Sequence, residues 1–109
     1  DLLCEIPVDF VLAALGGDID VPAPDGKKLR ISIPEGCQNE RQFRLKGKGM
    51  PVLQSKRYGD LFVEIHVEIP KNLNKKQIAL LKEFEKEASK NNSPESNDYI
   101  SRLKKIFKN

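Results

Sequence analysis

Few residues in this chain have reactive chemistry to offer. The single histidine, His66, stands between Glu64 and Glu68 in an alternating run. Alternate residues of a strand share a face, so an imidazole and two carboxylates would stand together, the residue types of acid–base work. No serine or cysteine is placed beside them as a nucleophile, and the pattern implies no pocket. The plainer reading is a surface histidine among carboxylates that pair with Lys or Arg on a neighbouring strand. No catalytic residue and no enzyme activity are expected.

Lys46-Gly47-Lys48-Gly49 has the look of a phosphate loop, but it lacks the G-x-x-x-x-G-K-[ST] spacing that wraps a phosphate in backbone N–H groups. It reads instead as a strand-end turn that needs positive φ. The basic run Lys46, Lys48, Lys56 and Arg57 has no interleaved aromatics for base stacking. With 19 basic and 16 acidic residues, the net charge of +3 suits a mixed-charge surface, so no nucleic acid is expected. Cys4 and Cys37 belong to no C-x-x-C pair. A zinc site needs about four closely spaced ligands, so no metal and no cofactor are expected. Two lone cysteines more often fill apolar gaps than form a bridge, which points to a reducing, cytoplasmic setting. No apolar run approaches about 18 residues, so no membrane span is expected. Asp1 opens on strand-like sequence without a basic leader, which reads as a piece of a longer protein.

The elements that would position these residues follow from periodicity. Residues 1–8 read as a strand with Leu2, Cys4, Ile6 and Val8 on one face; Pro7 marks its end or a sheet edge. Asp9 caps a short helix, Phe10 to Leu15, stopped by Gly16-Gly17. Residues 18–22 form a second strand, and Asp25-Gly26 turns into a third bearing Leu29, Ile31 and Ile33. After Pro34-Glu35-Gly36 comes a short strand with Phe43 and Leu45 on one side. These two strands and their glycine-rich turns read as antiparallel sheet. Residues 47–58 read as a long basic loop. The strongest alternation follows: Leu61, Val63, Ile65, Val67 and Ile69 on one face, Phe62, Glu64, His66 and Glu68 on the wet one.

From residue 71 the period changes to helical. Asn74 and Gln77 form a capping box, with Leu73 and Ile78 as its hydrophobic staple, for a helix running to about Ser89. Ile78, Leu80, Leu81, Phe84 and Ala88 cover an arc of about 160° on its projection. Ser93 and Pro94 start a last helix with Tyr99, Ile100, Leu103, Ile106 and Phe107 on one face.

Ile33-Pro34-Glu35-Gly36 and Arg44-Leu45-Lys46-Gly47-Lys48-Gly49 carry a resemblance. They match the I-P-E-G and R-L-x-G-x-G motifs of the C-terminal substrate-binding region of the DnaJ family of J-domain co-chaperones. Leu3 to Pro7, Ala13 to Gly17, Ile19 to Pro22, Asp25-Gly26, Gly59-Asp60-Leu61 and Asn72 to Asn74 follow in the family's order, so roughly 1–90 resembles its second C-terminal domain. The family's His-Pro-Asp tripeptide and its C-x-x-C-x-G-x-G repeats do not occur in this chain.

The resemblance implies a mostly β fold: a small antiparallel β-sandwich-like domain over 1–70, with one short internal helix, and a C-terminal helical dimerisation segment over 71–109. It implies a co-chaperone fragment that dimerises, binds unfolded client polypeptides and serves a DnaK-type chaperone through a J domain outside this chain. The alternative is a pure assembly module without client contact. Ile6, Ile19, Val21, Ile31 and Val63 can all be core. In the family's terms, Ile6, Ile19, Val21 and Val63 match the groove where a peptide adds to a sheet edge. Leu73, Ile78, Leu80, Leu81, Phe84 and Ala88 are the implied dimer interface.

Overall fold

The structure, a computed structural model, describes residues 1–50, 57–89 and 91–108. The elements in chain order are β1 (Leu2–Asp9), α1 (Phe10–Leu15), β2 (Gly17–Pro22), β3 (Lys28–Ile33), β4 (Gln42–Leu45), β5 (Leu61–Glu68), α2 (Lys75–Glu87) and α3 (Pro94–Phe107). The middle of the basic loop read over 47–58, with Lys56, lies outside the described residues. The chain divides into two compact units, Asp1–Lys71 and Asn72–Asn109.

In the first unit the alternating run 61–68 becomes the centre of a three-stranded sheet, ordered β1-β5-β4. Leu61, Val63 and Ile65 point inward with at most 1% of their surface exposed. Burial fades where the sheet ends: Val67 is half-buried, and Ile69, past the last strand residue, is 68% exposed. β4 pairs with β5 antiparallel, whereas β1 pairs with it parallel, Leu2 opposite Leu61 through Asp9 opposite Glu68. β1 lies at the sheet edge, which is where Pro7, lacking an N–H, is tolerated inside a strand.

The second sheet is the antiparallel pair β2-β3, Gly17 opposite Ile33 and Pro22 opposite Lys28. β3 and β4 therefore belong to different sheets, contrary to their reading as one antiparallel pair. The connection between them is captured on the way. The N–H groups of Gly36 and Cys37 donate to the carbonyls of Ala14 and Ala13, and then Glu40 and Arg41 pair with Ile65. Val8, Ala13, Val21, Ile31, Ile33, Cys37, Leu61, Val63 and Ile65 form one buried cluster between the sheets, with α1 over one end. This unit is the mostly β, sandwich-like domain that the resemblance implies. Asp9 caps α1, its Oδ1 accepting from the Leu12 N–H at 2.9 Å.

In the second unit, the Asn74–Gln77 capping box is formed in both directions. Ser93 makes no side-chain cap; Asn97 Nδ2 donates to the Ser93 carbonyl instead. α2 ends at Glu87, and Ala88 is extended (φ −65°, ψ 141°), so it leaves the helical stripe in which the projection placed it. Neither α2 nor α3 has a buried residue.

Two glycines of the turn after β4 are required for different reasons. Gly47 has φ 70°, the left-handed region. Gly49 does not, but a Cβ there would overlap the Asp60 backbone, because Gly49 N–H donates to the Gly59 carbonyl at 2.9 Å and the chains touch. The expectation is that Gly47→Asn, which tolerates positive φ, costs less than about 1 kcal/mol, while Gly49→Ala costs roughly 2–3 kcal/mol. Urea midpoints of the two variants measure the difference; equal losses would contradict this division of roles.

Candidate functional site

The loop that resembled a phosphate cradle already holds an anion of its own. Arg44 Nε donates to Asp60 Oδ2 at 2.6 Å and the Gly47 N–H donates to Asp60 Oδ1 at 3.1 Å. The Asp60 N–H in turn donates to Asp1 Oδ1, and its carbonyl accepts from the Leu2 N–H, both at 2.9 Å. One aspartate therefore ties the start of β1, the end of β4 and the start of β5. Its carboxyl is held below its ordinary value of 3.8, first by the Gly47 N–H and then by the Arg44 guanidinium.

On the outward face of the three-stranded sheet, His66 Nε2 lies 2.8 Å from Glu64 Oε2. The other oxygen of Glu64 accepts from Gln42 Nε2 at 3.0 Å. The cross-strand partner of Glu64 is thus an amide, not the Lys or Arg expected. Glu64 is held below the usual carboxylate range, chiefly by Gln42 and then by His66. Glu68, read as a flanking carboxylate, makes no ion pair with His66 among the described residues; Glu5 of β1 lies 3.9 Å from it. Sequence reasoning missed Glu5 because only the parallel pairing of β1 with β5 sets it opposite Glu64. The same face carries a shallow groove lined by Leu3, Gln42 and Phe62, on a side read as wet. No arrangement of nucleophile and base is present among these residues.

The apolar residues expected in a client groove separate. Val21 and Val63 are fully buried and have no surface to offer a peptide in this conformation, which places them in the core. Ile6 and Ile19 are half-buried and pack against that core. Ile19 lies on β2, whose far edge has no partner strand among the described residues. The outward face of β2-β3 is polar: Ser32 Oγ donates to Asp18 at 2.9 Å and Arg30 Nε to Asp20 at 3.2 Å. On α2, Ile78, Leu80 and Phe84 are exposed and Leu81 is half-buried, as is Leu73 just before the helix.

The model of the DnaJ C terminal domain family matches residues 1–70. The chain belongs to the DnaJ C-terminal domain family. Chaperone protein DnaJ of Rhizobium etli is 52% identical over 107 residues, 98% of this chain and 28% of the relative. Chaperone protein DnaJ of Brucella canis is 51% identical over the same shares. The chain thus spans about 28% of the length of the curated relatives it matches. The DnaJ C-terminal domain match ends at Pro70, while the likeness to these relatives runs on through both helices.

In this DnaJ C-terminal domain the Asp60 contacts carry a pH dependence of defined sign. A carboxyl with a depressed folded pKa contributes stability that is complete above its unfolded value, near 3.8, and is lost as pH falls through the folded value. Asp60→Asn should therefore lower the melting temperature by a constant amount above about pH 5 and by less in acid. Melts of both proteins from neutral pH into acid check this; a gap that widens in acid would contradict it.

Proposed function

We propose that residues 1–70 form a client-side domain of a DnaJ-type chaperone and that residues 71–109 join two copies of the chain. The whole protein would be a cytoplasmic chaperone, not an enzyme, that passes unfolded polypeptides to a DnaK-type partner through a J domain outside this chain. Two free cysteines and the likeness to proteins named chaperone DnaJ support that setting. No described helix is long and apolar enough to cross a membrane.

The observation that carries the self-association is the bare apolar face of the two helices. A helix of 13 residues such as α2 is marginal alone in water and needs its apolar stripe covered. Yet Phe84 is 65% exposed and Phe107 77% exposed, with Ile78, Leu80, Tyr99, Ile100 and Ile106 also open. A second copy covers such a stripe with its own by two-fold symmetry. Each large side chain so buried contributes roughly 1.5–3 kcal/mol, enough in sum to hold a dimer after association costs.

Client contact is proposed at the free edge of β2. There an extended peptide would find unpaired backbone groups beside Ile19, which is still partly open, as is Ile6 on β1. Main-chain bonding tolerates many sequences, as unfolded clients require. The polar ladder on the outward face leaves the edge as the favoured contact.

Sedimentation equilibrium of the chain at tens of micromolar should give a dimer. Leu81→Asp with Phe84→Asp should weaken it at least about 100-fold, given two large apolar side chains lost per copy, without changing the sheet signal in circular dichroism. A monomeric parent would end this part of the proposal. In an NMR titration with an unfolded apolar peptide, amides of residues 17–21 should shift, with little sensitivity to salt, which separates the contact from nucleic-acid binding. Ile19→Asp should remove the shifts in a folded protein. No shifts in the parent would leave the assembly role alone.

A further inference from the structure

The parallel register sets Glu5 opposite Glu64 and Pro7 opposite His66, so side chains of β1 and β5 that are far apart in sequence meet on the outward face. Glu5, Glu64 and His66 each present one ligand atom, and the three atoms lie within 4.8 Å of one another. We propose that these residues form a binding site for a borderline divalent cation, Zn²⁺ foremost.

Donor atoms bonded tetrahedrally to zinc at about 2.0–2.2 Å stand roughly 3.3–3.6 Å from each other. His66 Nε2 is 2.8 Å from Glu64 Oε2 and 3.9 Å from Glu5 Oε2, values that bracket this separation. Small side-chain rotations bring all three onto one ion. Glu64 is the oriented ligand: Gln42 holds Oε1 at 3.0 Å and leaves Oε2 facing the imidazole. Such a partner behind a ligand fixes its direction toward a metal. Glu5 is the adjustable ligand, its side chain 63% exposed and free to swing. The ion would occupy the place where Nε2 and the Glu64 carboxylate meet, binding neutral imidazole and two ionised carboxylates.

The donor set chooses the class of ion. Imidazole suits zinc, copper and nickel, whereas magnesium and calcium prefer oxygen alone. The half-exposed position leaves the remaining coordination sites to water, so the ion would exchange with solvent. Bound there, it links the edge strand β1 to the central strand β5, with ligands on both.

The chain has one histidine, so its ring resonances report the site without ambiguity. The full chain is titrated with ZnCl₂ and, separately, MgCl₂, following the His66 ring by NMR and the melting temperature. Zinc should displace the ring signals with one-to-one saturation and raise the melting temperature; magnesium should do neither. Glu5→Gln, at an exposed position that leaves the fold intact, should weaken zinc at least about tenfold, and His66→Gln should abolish the response. Matching melts of parent and Glu5→Gln in chelator check the fold. An unmoved ring at millimolar zinc overturns the proposal. So does a Glu5→Gln protein that binds zinc as tightly as the parent, since Glu5 is then no ligand and the three-residue site does not form.

Discussion

The parallel pairing of β1 with β5 is the constraint on which the first unit depends. Parallel neighbours cannot be joined by a tight turn; they need a long crossover. Here the crossover is the rest of the domain, since α1, β2, β3 and β4 all lie between Asp9 and Leu61. Its ends are closed at Asp60, which binds Asp1 and Leu2 through its backbone and Arg44 and Gly47 through its carboxylate. The buried row Leu61, Val63 and Ile65 then receives side chains from every other layer of the unit. Each such residue contributes roughly 1.5–3 kcal/mol, so β5 is where the hydrophobic gain is concentrated.

This arrangement leaves surfaces of different kind. Inward faces are consumed by the core, including Val21 and Val63. The outward face of β2-β3 is a polar ladder, and the far edge of β2 keeps unpaired backbone groups among the described residues. The second unit inverts the rule: its helices are formed by good local signals, yet their apolar residues remain open. In the proposed reading a second copy of the chain covers this stripe.

Local chemistry made the elements legible. Period-two alternation marks β1 and β5 with the right inward residues up to Val67, though not Ile69, Asp9 marks the start of α1, and the Asn74–Gln77 box marks α2. Pairing was less legible, because it depends on contacts distant in sequence. Their glycine-rich turns favour β3 and β4 as partners, but Gly36 and Cys37 bond to the end of α1 and divert the chain to β5. The same limit hid Glu5 from His66. Alternation also shows which face a residue shares but not whether another layer covers it, so Val21 and Val63 were as eligible for a groove as Ile6 and Ile19. At Ala88 a periodic pattern outran its helix, which ends one residue earlier in an extended cap.

In the proposed reading the sheet unit is complete within one chain, while the helical stripe is completed by a second copy. Amide hydrogen exchange at two protein concentrations, one well above and one well below the association midpoint, tests it directly. The account predicts that amides of Lys75–Glu87 are protected at the high concentration and lose protection on dilution, while those of Leu61–Glu68 exchange equally slowly at both. Exchange of α2 that does not depend on concentration would contradict it, as would loss of protection in β5 on dilution.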